Sequence, residues 1–308
     1  MESTATTRLA SLMVFAIGSL WGFYWLPVRE IALLGLQDLW GTVAIAAAGV
    51  LALAPFGLRR ALLGADRLGL GSTALGGFAF VLYSVSFLYG DVAVVVILFF
   101  LTPVWSTVLG RLIMGWPITG LRVAVLVLGL LGLTTMLAAE GTVPIPRGRG
   151  EWLGLAAGFC WAVASIGLRV RPVPPAPQSG FIFALGALLG GLILAPFVSL
   201  PPDGAAITAP GQLVLWVGLT GGLWWATFTV GLMWAAPKLD PARVGILLMA
   251  EVLVAAVSAA ILVGEHLEPL EWVGGGLVLF AGLIELWPER GPARRISRWS
   301  FGGRKRPR

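Results

Sequence analysis

Charge is scarce in this chain, and so are the groups that catalysis usually recruits. Only 12% of the 308 residues are charged, against roughly 25% in a soluble globular domain. The single cysteine, Cys160, excludes an intramolecular disulfide and reads as a small packing residue. The single histidine, His266, has no cysteine or second histidine near it, so no metal-ligand spacing exists. No paired aspartates and no Ser/Lys or Ser/His pair fall within one apolar stretch, which leaves an intramembrane hydrolase without its parts. The net charge of +6 could suggest nucleic acid, but no nucleic-acid motif accompanies it.

What the chain has instead is length without polarity. Hydrophobic residues make up 58% of it, and mean hydropathy is +0.91. Ten apolar stretches, near 9–29, 38–56, 71–89, 92–114, 119–139, 151–170, 179–199, 211–235, 241–263 and 269–287, approach or exceed the ~20 residues that cross a bilayer as a helix. Period-2 alternation is absent, which excludes a membrane β-barrel. The expected fold is therefore all-α, with ten transmembrane helices.

Basic residues give the orientation. With the N-terminus inside, Arg8, Arg59, Arg60, Arg67, Arg111, Arg122, Arg169, Arg171, Lys238 and Arg243 fall on the cytoplasmic side, and only Arg29, Arg147 and Arg149 on the other. Both termini are then cytoplasmic, in a bacterial-type inner (plasma) membrane. The tail 289–308, with Arg294, Arg295, Arg298, Arg304, Lys305, Arg306 and Arg308, reads as a basic anchor on an anionic leaflet.

The chain also repeats itself. Ala16-Ile-Gly-Ser-Leu-Trp21 is echoed by Ala156-Ala-Gly-Phe-Cys-Trp161, and Ala54-Pro55-Phe56 by Ala195-Pro196-Phe197. Gly76-Gly77 pairs with Gly221-Gly222, Ile97-Leu98 with Ile246-Leu247 and Gly132 with Gly282, always in order and with slowly growing offsets. Residues 1–140 and 141–288 thus read as two five-span repeats. An odd number of spans per repeat inserts the second copy upside down, the plan of many secondary transporters.

Within the spans, Glu251 is the one carboxylate placed well inside a helix, at a cost of ~2.5–3.5 kcal/mol on insertion scales. It could bind a substrate ammonium, carry a coupled proton or pair inside the bundle. Aromatic residues away from the span ends form the second supply: Trp21, Tyr24, Tyr83, Phe99, Trp105, Trp161, Trp225 and Phe228. Trp21 pairs with Trp161 and Tyr83 with Phe228 under the repeat, as a central cavity lined from both halves requires. Packing or lipid contact is the alternative use for each. Pro103 interrupts span 4 and frees the carbonyl near Phe99, making either a hinge or a ligand site.

Trp21-Gly22 in span 1, Pro103-Val104 in span 4 and Gly264-Glu265 closing span 9, all inside a duplicated five-span unit, resemble the EamA-type ten-helix members of the drug/metabolite transporter superfamily. Within it, the length and tryptophan richness look most like the YddG-type amino acid and metabolite exporters. Two departures stand out: Gly115-Trp116 replaces a Gly-Glu after span 4, and Val252 replaces a proline after Glu251, so that only span 4 should be kinked by proline. The resemblance implies a secondary exporter of small metabolites, amino acids first, working by alternating access, with no cofactor and no metal. Its partners are a small-molecule substrate and the lipid bilayer, a monomer being an allowed state. A multidrug or quaternary-ammonium exporter is the alternative function, ahead of a membrane-embedded enzyme.

Overall fold

The computed structural model describes residues 4–58, 64–137, 145–198, 207–263 and 268–286. Gly264-Glu265, His266 and the basic tail 289–308 lie outside the described residues. Ten helical stretches are long and apolar enough to cross a membrane, from Thr4–Leu33 to Pro269–Leu286. They coincide with the ten runs read from the sequence to within a few residues at most ends. A multi-pass all-α membrane protein follows from them, because only a helix satisfies its own backbone polar groups in hydrocarbon.

Span 1 consists of α1 (Thr4–Trp21) and α2 (Trp25–Leu33), span 2 of α3 (Asp38–Gly57), span 3 of α4 (Arg67–Ser86), and span 4 of α5 (Val92–Phe99) and α6 (Thr102–Met114). Span 5 is α7 (Gly120–Leu137), span 6 α8 (Arg149–Val170) and span 7 α9 (Ala176–Val198). Span 8 runs from α10 (Pro210–Val217) through π-helical turns at Gly218–Trp225 into α11 (Ala226–Ala235). Span 9 is α12 (Pro241–Leu248) followed by α13 (Ala250–Val263), and span 10 is α14 (Pro269–Leu286).

The breaks have local causes. Pro27 has no N–H to offer the Phe23 carbonyl, which instead accepts from Leu26 N at 3.1 Å, while Tyr24 N turns back to Trp21 O at 2.8 Å. In span 4, Pro103 stands in the first turn of α6, where a missing N–H costs nothing. The proline rule fails in span 9. It breaks at Met249, whose N–H bonds Ile246 O at 3.1 Å, although no proline is nearby. Under the repeat offset that pairs Ile97 with Ile246, the break at Phe100 coincides with the one at Met249, so backbone position and not proline is what the two spans share.

Small residues set the helix crossings that place these breaks together. A Cβ on Gly18 would lie 3.1 Å from Leu248 Cα, and one on Gly158 would lie 2.5 Å from the Phe99 carbonyl oxygen. Span 1 thereby touches the break in span 9, and span 6 touches the break in span 4. The core fills the space between, with Trp225, Phe100 and Phe183 among the largest fully buried side chains.

Candidate functional site

Two cavities meet at the breaks. The smaller, about 50 Å³, is lined by Trp21, Phe80, Tyr83, Phe99, Trp161, Phe183, Leu232, Leu248 and Glu251, with Gly76 and Ala79. The larger, about 410 Å³, shares Trp21, Phe80, Tyr83 and Glu251 with it. From there it runs past Tyr24, Trp25 and Phe87 to Leu36 and Leu88, in the connections that follow spans 1 and 3, and to Asp38 at the start of α3. It therefore reaches the end of the bundle opposite to the start of α1.

The walls are held by edge-to-face and offset ring contacts. Tyr83 stacks on Phe99 with ring centroids 4.0 Å apart. Phe80 touches Trp21 at 6.4 Å and Tyr24 at 6.3 Å. Trp161 meets Phe183 edge-on at 6.2 Å. Trp25 is fixed differently: its Nε1 donates to Ser258 Oγ at 3.0 Å, which ties the first turn of α2 to α13. Trp21 Nε1 and Tyr24 Oη are buried and have no hydrogen-bond partner among the described residues. Both belong to residues that line a cavity.

Charge in the cavities is of one sign. Glu251, in the first turn of α13, lines both of them, and Asp38 stands at the far rim of the larger. Among the described residues, no lysine, arginine or histidine lines either cavity. Asp38 also has a left-handed backbone, φ 54°, the one non-glycine residue of the described chain with positive φ.

The residues singled out from the sequence divide. Trp21, Tyr83 and Glu251 line both cavities, Phe99 and Trp161 the smaller, and Tyr24 the larger. Trp225 stands behind the wall, 1% exposed, against Phe80 at 5.7 Å and Phe183 at 5.9 Å. Trp105 and Phe228 line neither cavity. The buried face of α6 is Thr102, Pro103, Ser106 and Gly110, and Trp105 points off that stripe toward Phe159, 5.7 Å away. Phe228 turns to Trp224 at 5.6 Å; the π-helical turns just before it shift the register by which it had been paired with Tyr83. The carbonyl freed by Pro103 is not open to a ligand either. Phe99 O accepts from Thr102 Oγ1 at 2.7 Å, and Gly158 covers it.

Phe183 is a wall residue that the sequence does not signal, because its partner under the offset of 141 is Thr42.

Residues 148–285 match the EamA-like transporter family. The second half of the chain is thus similar to an EamA-like transporter domain. That family is one of membrane transporters of small molecules, and the ten apolar helices fit a multi-pass membrane protein. A solved structure described only as "Crystal structure of protein" has the same fold, with TM-score 0.66 at 18% identity, covering 92% of this chain and 96% of that one. No curated protein matches the chain. The EamA-like domain supplies Trp161, Phe183, Leu232, Leu248 and Glu251 to the smaller cavity, and the first half supplies the rest.

Proposed function

We propose that the protein is a secondary exporter of small metabolites, amino acids first, that works by alternating access through these cavities. The observation that carries this reading is Glu251, a carboxylate at the junction of two aromatic-walled cavities with no cation among their described lining residues. A substrate ammonium is held there by the carboxylate and by the faces of the surrounding rings. The unpartnered Trp21 Nε1 and Tyr24 Oη are donors for a substrate carboxylate, and Trp161, Phe99 and Phe183 contact its side chain. At about 410 Å³ the larger cavity is of the size that small-molecule sites have.

In this reading residues 1–140 and 141–288 act as inverted repeats with both termini in the cytoplasm, and the basic-residue split supports that orientation. The larger cavity then faces away from the cytoplasm, and one chain holds a complete pathway. The absence of lysine and arginine from the walls supports a second reading, in which organic cations are the substrates and the carboxylate-binding donors are idle.

Purified protein in liposomes, assayed for uptake of single labelled amino acids and of a lipophilic quaternary ammonium ion, tests both. Saturable amino acid flux blocked by other amino acids supports the first. Flux of the cation alone moves the assignment to the second, and flux of neither, in folded protein, ends both.

A further inference from the structure

The partition between the cavities and the end where α1 begins is α12. All eight of its residues are buried. Asp240 caps it by accepting from Ala242 N at 3.0 Å, and Gly245 lies so close to Pro103 that a Cβ would sit 2.7 Å from the proline ring. Its last residue, Leu248, lines the smaller cavity.

Four charges surround its start. Arg122 in the first turn of α7 contacts Asp240 through Nη1 and Oδ1 at 2.5 Å, with Nε 3.7 Å from Glu285 Oε1. Arg243 places Nε 3.7 Å from Glu285 Oε2 and donates through Nη2 to the Glu285 main-chain oxygen. Glu285 and Arg243 are 5% and 7% exposed. Paired ions this buried are costly to separate, because breaking one pair strands the remaining charge in low dielectric. The cluster joins three elements, the starts of spans 5 and 9 and the end of span 10, at one end of the bundle.

Among the described residues, the other half of the chain shows no such cluster at the equivalent place. The offset that pairs Ile97 with Ile246 sets Asp91 against Asp240 and Val94 against Arg243. Like α12, α5 starts from an aspartate cap, Val94 N donating to Asp91 Oδ1 at 3.1 Å, and is buried from Ala93 to Leu98. A valine stands where α12 carries its arginine, and α5 begins at the end of the bundle that the larger cavity reaches.

We infer that Arg122, Asp240, Arg243 and Glu285 are a latch that clamps α12 and holds one side of the pathway shut. Parting of the cluster frees α12 to swing about the break at Met249 and exposes the cavities at the end where α1 begins. The latch rests on the reading of the cavities as the transport path, but its test needs no substrate.

Leu248→Cys in a full-length Cys160→Ala background, reconstituted with known orientation, reports access to the smaller cavity. A membrane-impermeant maleimide is added from the side that carries the start of α1. Glu285→Gln and Asp240→Asn each speed labelling from that side about tenfold, inside the 5–150-fold range of coupled conformational equilibria. The exchange Arg122→Asp with Asp240→Arg slows it again. If Glu285→Gln fails to fold, the Arg122–Asp240 pair still decides, since the Asp240 side chain is 40% exposed and tolerates change. Labelling unchanged in Asp240→Asn, or not slowed by the exchange, overturns the latch; loss of flux with the labelling pattern intact would instead count against the transport reading.

Discussion

Gly158 lies so close to Phe99 that a Cβ on it would stand 2.5 Å from the Phe99 carbonyl oxygen. Gly18 makes the looser form of the same contact, 3.1 Å from Leu248 Cα, and the repeat pairs Gly18 with Gly158 and Leu248 with Phe99. The two helix crossings that bring the broken spans to the cavity are thus equivalent in sequence and unequal in tightness.

Gly158→Ala should therefore destabilise more than Gly18→Ala. Overpacking costs about 1–3 kcal/mol in a well-packed core, and at Gly158 the obstacle is a main-chain carbonyl that cannot step aside. Thermal unfolding of both variants in detergent checks the order. Equal losses, or a larger loss for Gly18→Ala, would contradict the close approach.

Trp25 and Ser258 should be energetically coupled. Their hydrogen bond of 3.0 Å ties α2 to α13, and a bond of this kind contributes about 0.5–1.5 kcal/mol. A double-mutant cycle with Trp25→Phe and Ser258→Ala, read by unfolding midpoints, should return a coupling of that size. Strict additivity would mean that the bond is not formed.

Among the aromatics, position separates site from scaffold. Phe183→Ala and Tyr83→Ala should raise KM for the transported solute, because both residues line the smaller cavity. Trp105→Phe should leave KM unchanged, because its ring packs on Phe159 away from both cavities. A KM shift in Trp105→Phe with none in Phe183→Ala would place the solute elsewhere.

Much of this was legible in the sequence, for physical reasons that also explain what was not. The ten spans were readable because bilayer thickness fixes their length, and Glu251 because a carboxylate in an apolar run has few other uses. Trp21 and Trp161 were readable because the offset of 140 holds across spans 1 and 6, which contain no insertion between the echoed residues. Phe228 lies just beyond π-helical turns and lines neither cavity, and the extra residue per such turn leaves no mark on hydropathy. The break at Met249 was invisible because no proline signals it. The pairing of Arg243 with Glu285 leaves no mark in the sequence because both sit at span ends, where charge is ordinary, and only the packing of spans 5, 9 and 10 buries them.

Glu251 carries the central claim, that the two cavities are a transport site for ammonium-bearing solutes. Replacing it with glutamine removes a charge that is costly inside a membrane, so Glu251→Gln should be at least as heat-stable as the native chain. The deciding measurement is initial flux of the best amino acid substrate into liposomes holding equal amounts of folded native or Glu251→Gln protein. The account predicts flux reduced about tenfold or more, the loss of ~1.4 kcal/mol of substrate binding or greater. Native flux from a folded Glu251→Gln protein would contradict it.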